Sequence, residues 1–396
     1  MSQAMWCSVR IRAALAVSLP ALVLASLSPS ARADGRPVPE PGAHSGQSAL
    51  YRTGVQVSPG APKLPAATAL SWMVTDLRTG RVLAAKDAHR PLPPASTLKT
   101  LFALALLPKF PPQEVHRAAG TDLSGLQPGS SMVGVKEGTR YTVADLWRGV
   151  FLASGNDAVH TLAMMNGGVP ATLRDMRAAA RRIGVQDTVV KSADGYDTPG
   201  QHSSAYDLSV IARAGLQNPE FRQFASTRRA RFPAVGGPGA FGIQNTNRLL
   251  VGSHGVVRYP GLLGVKNGYT TEAGNTLVTA ARRNGRTLLV TVMNPQAGQP
   301  NDAYTETRSL LDWGFSAAPT ASPVGVLPGL PRARPTDPAA SPVPAGHTPP
   351  VAASQAARIA FSGRAALAVT GALSAAALAC ALLVGRRRAR KQSGRA

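Results

Sequence analysis

Two stretches with hairpin patterning bracket a helical middle, and this order constrains the fold more than any other feature of the chain. In the first, over residues 69–85, two apolar runs are separated by the turn Thr79-Gly80. In the second, "NTLVTAARRNGRTLLVTVM", two strand-like runs are joined by Asn284-Gly285, a dipeptide typical of tight hairpin turns. The order predicts an α+β fold, in which an antiparallel sheet built from N- and C-terminal strands is flanked by a helical lobe.

The helical middle is predicted from start signals and apolar spacing. Pro93-Pro94 precede an apolar helix over residues 101–107, and proline is tolerated at a helix start because its missing N–H costs least there. In "YTVADLWRGVFLA", Thr142 is an expected N-cap with Asp145 three residues later, and apolar residues recur on one face. A further helix is predicted over residues 207–215.

Apolar segments near both ends of the 396-residue chain indicate export and anchoring. The first follows Arg10 and Arg12 and ends before a small-x-small site, so residues 1–33 are predicted to be a secretory signal peptide. Residues 365–384 carry no charge and precede a basic tail at 385–396, which predicts a single transmembrane helix with the tail in the cytoplasm. We therefore expect an exported protein of the cell membrane with its domain outside the cytoplasm.

Two further segments are rich in small residues and proline. Residues 34–65 are predicted to be a leader and residues 317–357 a linker, because neither contains enough apolar surface to form a core. The intervening block, residues 66–316, is the size of one domain.

Charge and cysteine content exclude several classes of protein. The formal net charge is +23, but the basic blocks lie largely at the two ends and are not interleaved with aromatic residues, so no nucleic-acid binding is expected. Both cysteines, Cys7 and Cys380, fall in the terminal apolar segments, which leaves the domain without a disulfide framework or a thiolate metal site. No H-E-x-x-H motif occurs, and we predict neither a metal nor a cofactor.

Three short motifs follow one another along the domain. Ser96-Thr97-Leu98-Lys99 places a lysine one helical turn after a serine on the same face, although a helix start with a solvated lysine has the same pattern. Ser154-Gly155-Asn156 lies where the Thr142-capped helix ends, and Lys266-Asn267-Gly268 opens the C-terminal strands. Each of the last two motifs by itself could be a cap or a turn.

Taken together and in this order, the motifs resemble S-x-x-K, S-x-N and K-T-G of the penicillin-recognising serine acyltransferases. More narrowly, the block is similar to the low-molecular-mass penicillin-binding proteins, the serine-type D-alanyl-D-alanine carboxypeptidases. The likeness extends over residues 69–295 and includes "YTVADLWRGVFLASGNDAV" and "GYDTPGQHSSAYDLSVIAR". It implies a β-lactamase/transpeptidase-like fold and an enzyme that removes the terminal D-Ala from peptidoglycan stem peptides through an acyl-enzyme and is also acylated by β-lactams.

The resemblance also implies a set of site residues. The catalytic groups would be Ser96, Lys99 and Ser154, and the substrate-binding groups Asn156, Lys266, Asn267, Gly268, Tyr269 and Thr270.

In these roles, Ser96 would be the nucleophile and Lys99 its base, while Ser154 would relay a proton to the leaving amine. Lys99 is a base only when neutral, and burial, a helix N-terminus and the second cation Lys266 would all favour the neutral form. Lys266 would attract the terminal carboxylate, and the N–H groups of Ser96 and Tyr269 would hold the oxyanion.

Asn267 departs from the threonine usual in the third motif, whose hydroxyl helps to bind the substrate carboxylate. The departure leaves open a non-catalytic wall-binding protein that kept the pocket. A D,D-endopeptidase and a β-lactamase of the same fold stay open as well. The β-lactamase is less favoured, because no segment between Asn156 and Lys266 matches the deacylating glutamate of class A enzymes. His160 and His202 lie near the motifs and are interpreted as structural.

Overall fold

The structure is a computed structural model that describes residues 49–234 and 239–330. Several predicted segments lie outside these residues: the signal peptide, residues 34–48 of the leader, residues 331–357 of the linker, the transmembrane helix and the basic tail. Among the described residues, no helix combines the length and the apolar character needed to span a membrane.

Strands and helices alternate in blocks along the described chain. In chain order the strands are β1 (Val55–Val57), β2 (Ser71–Asp76), β3 (Arg81–Lys86), β4 (Val115–Arg117), β5 (Arg140–Thr142), β6 (Arg229–Pro233), β7 (Ala240–Gln244), β8 (Leu262–Thr270), β9 (Gly274–Arg283), β10 (Arg286–Met293) and β11 (Gly325–Val326). The α-helices are α1 (Lys99–Leu106), α2 (Val143–Leu152), α3 (Asn156–Met165), α4 (Val169–Ile183), α5 (Ala205–Gly215), α6 (Pro219–Ser226), α7 (Arg248–Val251) and α8 (Asp302–Ala317).

A seven-stranded sheet is the centre of the described part of the chain. Its order is β1-β3-β2-β10-β9-β8, with β11 also paired to β3, and every pairing is antiparallel. The predicted hairpins are confirmed as β2–β3 and β9–β10. In the second hairpin, Asn284 and Gly285 have φ of 49° and 77°, the left-handed values that a two-residue hairpin turn of this kind requires. The predicted α+β class is therefore confirmed.

The sheet separates two apolar cores because successive side chains point to opposite faces. On one face, Met73 and Leu289 join the core of the helical lobe, where Phe102 and Trp147 pack against each other. On the other face, a second core lies between the sheet and α8; its buried members include Trp72, Val74, Leu288, Val290, Leu311 and Trp313.

Helix α2 begins as the sequence predicts. The Thr142 hydroxyl accepts a hydrogen bond from the Asp145 N–H at 3.1 Å, and the Asp145 carboxylate accepts one from the Thr142 N–H at 3.1 Å. This reciprocal arrangement satisfies two N–H groups that the helix itself leaves unpaired. The residues predicted for the apolar face are all buried: Val143, Leu146, Trp147, Val150 and Phe151.

The folded region is wider than the predicted block of residues 66–316. β1 falls in the predicted leader and β11 in the predicted linker, and both pair with β3. The outer edge of β3 would otherwise present unpaired backbone groups, and short strands are enough to pair them. Composition alone missed these contacts because such strands need little apolar surface.

Candidate active site

The first motif lies on a short 3₁₀-helix, Ala95–Leu98, that leads directly into α1. Ala95 has a left-handed φ of 48°, a conformation that a non-glycine residue rarely adopts. Lys99 is buried, and its Nζ lies 2.6 Å from the Oγ of Ser96, which is half-buried. The serine and lysine predicted as a catalytic pair are therefore in hydrogen-bond contact.

Lys99 has a second partner in a distant loop. Its Nζ donates to the main-chain carbonyl of Asp194 at 2.8 Å. Burial lowers the pKa of Lys99 to about 8, although the negative charges of Asp194 and Asp157 act in the opposite direction. A lysine with this pKa is partly neutral near neutral pH, which a general base requires.

The second motif joins α2 to α3. Ser154 takes a left-handed φ of 58°, and its Oγ is buried without a hydrogen-bond partner among the described residues. Asn156 donates from Nδ2 to the Ser130 hydroxyl at 3.1 Å, while its Oδ1 has no partner there. Buried polar atoms are nearly always paired, so these two atoms are available to an incoming group.

Asp157 fixes the wall of the cleft next to this motif. The carboxylate of this fully buried residue accepts backbone N–H groups from Val133, Gly134, Val135 and Ala158 at 2.7–3.0 Å. These bonds hold residues 133–135 against the start of α3, and Asn156 N also donates to the Ser131 carbonyl at 2.7 Å.

The third motif lies on β8, an edge strand of the sheet. Lys266 is buried, and its Nζ donates to the Asn267 carbonyl at 2.8 Å. Burial and, second, the charge of Lys99 lower the pKa of Lys266 well below its ordinary value. An incoming carboxylate would favour the charged form again.

Gly268 brings this strand against the turn that carries Ser96. A Cβ at position 268 would lie 2.6 Å from the Ser96 nitrogen and 2.7 Å from Thr276 Oγ1. No side chain fits in that space, so the glycine permits the close approach of two backbones.

The Asn267 side chain is held away from this contact. Its Oδ1 accepts a hydrogen bond from the Thr246 hydroxyl at 2.9 Å. Tyr269, two residues after Asn267, has a side chain that is 68% exposed.

These motifs surround a cleft of about 210 Å³. Its lining residues are Ser96, Pro128, Gly129, Ser130, Ser131, Asn156, Gly195, Tyr196, Asp197, Tyr269, Thr270 and Thr271. Four predicted site residues thus line the cleft itself, and three more, Lys99, Ser154 and Lys266, are buried next to them. Within the described ranges, no group of His, Cys, Asp and Glu has the arrangement of a metal site.

Sequence reasoning missed two walls of the cleft. One is the loop at residues 128–131, and the other is the loop of Gly195, Tyr196 and Asp197. The second loop lies in "GYDTPGQHSSAYDLSVIAR", so the resemblance covered the region without giving these residues a role.

A family model described as D-alanyl-D-alanine carboxypeptidase, Peptidase S11, matches residues 57–297. Among curated proteins, a D-alanyl-D-alanine carboxypeptidase of Mycobacterium tuberculosis is 39% identical over 271 residues, which cover 68% of this chain and 89% of that protein. One from Salmonella typhimurium is 33% identical, and the match covers 64% of each chain, which is under two thirds of that relative.

Solved structures of related enzymes have a similar fold. A crystal structure of a D-alanyl-D-alanine carboxypeptidase from Mycobacterium tuberculosis matches with a TM-score of 0.63 at 38% identity, covering 69% of this chain and 100% of that one. A Streptomyces DD-transpeptidase matches with a TM-score of 0.60 at 26% identity, covering 64% and 99%. The fold of this chain is therefore similar to that of both kinds of acyltransferase.

Proposed function

Because this chain belongs to the D-alanyl-D-alanine carboxypeptidase family, we propose that it removes the C-terminal D-alanine of peptidoglycan stem peptides through a serine acyl-enzyme. It is a serine peptidase, and peptidoglycan is the substrate of its family. The contact of 2.6 Å between Lys99 Nζ and Ser96 Oγ carries the proposal, since it joins a nucleophile to a base whose pKa burial has lowered.

Acylation begins when neutral Lys99 accepts the hydroxyl proton of Ser96 and Oγ attacks the carbonyl carbon of the penultimate residue. The carbonyl oxygen becomes an oxyanion, for which the backbone N–H groups of Ser96 and Tyr269 are the donors. Gly268 lets the backbone of β8 approach the backbone of Ser96 closely enough for this arrangement. Such donors contribute a few kcal/mol to transition-state stability, about 3 kcal/mol for one well-placed group.

The peptide bond then breaks, and the leaving amine of D-alanine takes up a proton. Ser154, with its unpartnered buried hydroxyl, relays that proton from Lys99. Water next attacks the ester carbonyl, gives its proton back through Lys99 to Ser96 Oγ, and releases the shortened peptide. Serine and lysine return to their starting states, so the cycle needs no cofactor.

Substrate binding follows from charge and hydrogen bonding. Lys266 attracts the terminal carboxylate of the stem peptide, and Thr270 offers a hydroxyl at the lining of the cleft. The free Oδ1 and the Nδ2 of Asn156 are suited to a substrate amide. Asn267, held by Thr246, contributes chiefly the backbone carbonyl that receives Lys266.

β-Lactams enter the same step as cyclic amides. Attack by Ser96 opens the ring, and the leaving nitrogen stays attached to the acyl group. Labelled β-lactams therefore report acylation separately from the release of D-alanine.

The protein is placed by this proposal at the outer face of the cell membrane. Export by residues 1–33 and anchoring by residues 365–384 would put the domain beside the cell wall, where stem peptides are. The proline-rich residues that precede the anchor would act as a spacer.

The test uses the full chain, purified in detergent, with a pentapeptide that ends in D-Ala-D-Ala. We expect release of free D-alanine, and a loss of at least about 1,000-fold in Ser96→Ala, since removal of a serine nucleophile has effects of this size. Ser226→Ala, an exposed helical serine, is the matched control and should retain the wild-type rate.

Other outcomes would contradict the proposal, and each indicates a different function. Tight binding without release of D-alanine indicates a wall-binding protein. Cleavage of cross-linked dimers in preference to the pentapeptide indicates an endopeptidase. Rapid turnover of β-lactams with little D-alanine release indicates a β-lactamase. Acylation of Ser96→Ala by a labelled β-lactam would show that the nucleophile is misassigned.

A further inference from the structure

Asp194 approaches the catalytic lysine through its main chain, and its carboxylate points elsewhere. Its carbonyl accepts the hydrogen bond from Lys99 at 2.8 Å. The next residue, Gly195, has a φ of +83°, and a Cβ there would lie 1.9 Å from the Ala95 carbonyl oxygen. The loop therefore lies directly on the nucleophile's turn, and the main chain of Asp194 has little freedom to move.

The carboxylate of Asp194 faces His160 on α3. Its Oδ2 lies 3.7 Å from His160 Nε2, an ion-pair distance, and its Oδ1 accepts the Tyr196 N–H at 2.9 Å. The Asp194 side chain is 6% exposed and the His160 side chain 16%. His160 follows Asn156 by one helical turn, so both lie on the side of α3 that faces the site.

A second cavity gives His160 its own route to solvent. It has a volume of about 350 Å³ and is bounded by His160 and Asp194. The other titratable groups on its walls are Lys191, Tyr196 and Asp197. Solvent therefore reaches His160 through a cavity that shares only Tyr196 and Asp197 with the lining of the catalytic cleft.

The charges that face Lys99 are Asp194, Asp157 and Lys266. Asp157 is locked by four backbone N–H groups, and Lys266 belongs to the binding of the substrate. Burial by itself would raise the pKa of Asp194, but the contact with His160 and the charge of Lys99 outweigh it and hold that pKa well below its usual range. Asp194 stays ionised, so the net charge of the pair changes only when His160 gains or loses a proton.

We propose that Asp194 and His160 form a proton-linked pair that sets the pH range in which Lys99 accepts the proton of Ser96. With His160 neutral, the charge of Asp194 stabilises the ammonium form of Lys99. With His160 protonated, that charge is offset, and Lys99 releases its proton more readily. The pair therefore keeps part of the lysine neutral as the pH falls. Both are positioning residues, and the inference rests on the proposed function because it takes Lys99 as the base.

The test measures the acylation rate of the full chain by a fluorescent penicillin between about pH 5 and pH 10, a range that extends to both sides of the lowered pKa of Lys99. Asp194→Asn keeps the main-chain carbonyl and removes the charge. We expect the acid limb of its profile to move to lower pH by roughly one unit, the lower end of shifts caused by a neighbouring opposite charge.

His160→Gln keeps a hydrogen-bond donor that cannot be protonated. Its acylation rate should fall more steeply than that of the wild type along the acid limb, because the negative charge of Asp194 then acts on Lys99 without a counter-charge. In the double variant, the substitution of His160 should have a smaller effect than it has in the wild type, because the carboxylate that attracts its proton is gone.

Asp312→Asn makes the same chemical change on α8, in contact with Tyr259 and Arg283, and should leave the profile unchanged. Thermal unfolding of each variant establishes that it is folded, and if Asp194→Asn does not fold, His160→Gln decides the question. A uniform loss of rate at every pH with an unchanged acid limb would overturn the inference. Absence of any acylation in the wild type would instead contradict the proposed function.

Discussion

At the scale of single residues, the site depends on a position that carries no side chain. Gly268 lies where an added Cβ would meet the Ser96 nitrogen at 2.6 Å and the Ala95 Cβ at 2.9 Å. Both neighbours belong to the nucleophile's turn and cannot rotate away as a flexible side chain would. A larger residue must therefore push β8 away from Ser96.

Gly268→Ala should lower the rate of acylation by a labelled β-lactam at least about 100-fold, the effect of losing one oxyanion donor. Gly242→Ala is the matched control, since a Cβ on that strand residue meets nothing within 4 Å. The control should acylate at nearly the wild-type rate and melt at the same temperature. Wild-type acylation by Gly268→Ala would show that the strand does not need this close approach.

The burial of Lys99 links the stability of the fold to pH. Its folded pKa of about 8 lies below the ordinary value of 10.5, so between these pH values the unfolded chain binds more protons than the folded one. Stability attributable to Lys99 therefore rises with pH across this window. Below pH 8 the folded state carries the full penalty of a buried charge, on the order of 3 kcal/mol.

Lys99→Met removes this penalty. Its free energy of unfolding should exceed that of the wild type below pH 8, and the difference should shrink as the pH rises toward 10.5. Denaturant unfolding at several pH values measures it. For Lys63→Met, at an exposed position, the difference from the wild type should stay constant across the window. A constant difference for Lys99→Met as well would mean that burial does not lower the pKa of Lys99.

At the scale of elements, α2 positions the second motif. The helix ends at Leu152, two residues before Ser154, so its start and its packing determine where the motif lies. Its apolar face is anchored in the lobe core, where Trp147 and Phe151 are packed against each other with ring centroids 6.3 Å apart.

Thr142→Ala should lower the free energy of unfolding by about 1 kcal/mol, the usual effect of losing a side-chain N-cap. Thr305→Ala, at an exposed position within α8, is the control and should have a neutral or slightly stabilising effect. Denaturant unfolding measures both. Equal stability of Thr142→Ala and the wild type would show that packing alone holds the helix start.

At the scale of the whole molecule, the edge of the sheet beside Ser96 lies opposite the edge where the first and last described strands pair. β8 forms the edge beside the nucleophile, while β1 and β11 cover the outer side of β3. Arg213, which is buried, ties the C-terminal segment to the domain. It donates to the carbonyls of Leu77 at 2.9 Å, Arg78 at 3.2 Å and Pro328 at 2.7 Å.

Arg213→Gln should lower the free energy of unfolding by about 1–3 kcal/mol, because it leaves three part-buried carbonyls without this donor. Hydrogen exchange at the amides of residues 325–327 should accelerate, while the acylation rate changes little. Arg282→Gln, at an exposed position of β9, is the control for loss of a positive charge. Unchanged exchange in residues 325–327 would show that strand pairing alone holds the segment.

Local features of the fold were predictable because their causes lie within a few residues. Thr142 and Asp145 form a capping box three positions apart, and Asn284-Gly285 supplies the left-handed turn of a hairpin. The Ser96–Lys99 contact belongs to the same class, since one helical turn joins the two side chains.

Contacts between distant parts of the chain could not be derived in this way. The carbonyl of Asp194 reaches Lys99 across 95 positions, and β11 pairs with β3 although its sequence has the composition of a linker. Every residue type has the same main-chain carbonyl, so no residue in the sequence indicates which carbonyl will accept the hydrogen bond.

By itself the sequence determined the fold class, the two hairpins with helices between them, and the positions of the three motifs, because each follows from local backbone preference or from spacing along the chain. Only the tertiary structure decided how Lys99 is desolvated, which loop accepts its second hydrogen bond, and that His160 lies beside Asp194. The physical reason is that burial and charge proximity are properties of neighbours in space, and folding brings those neighbours together from separate stretches of the chain.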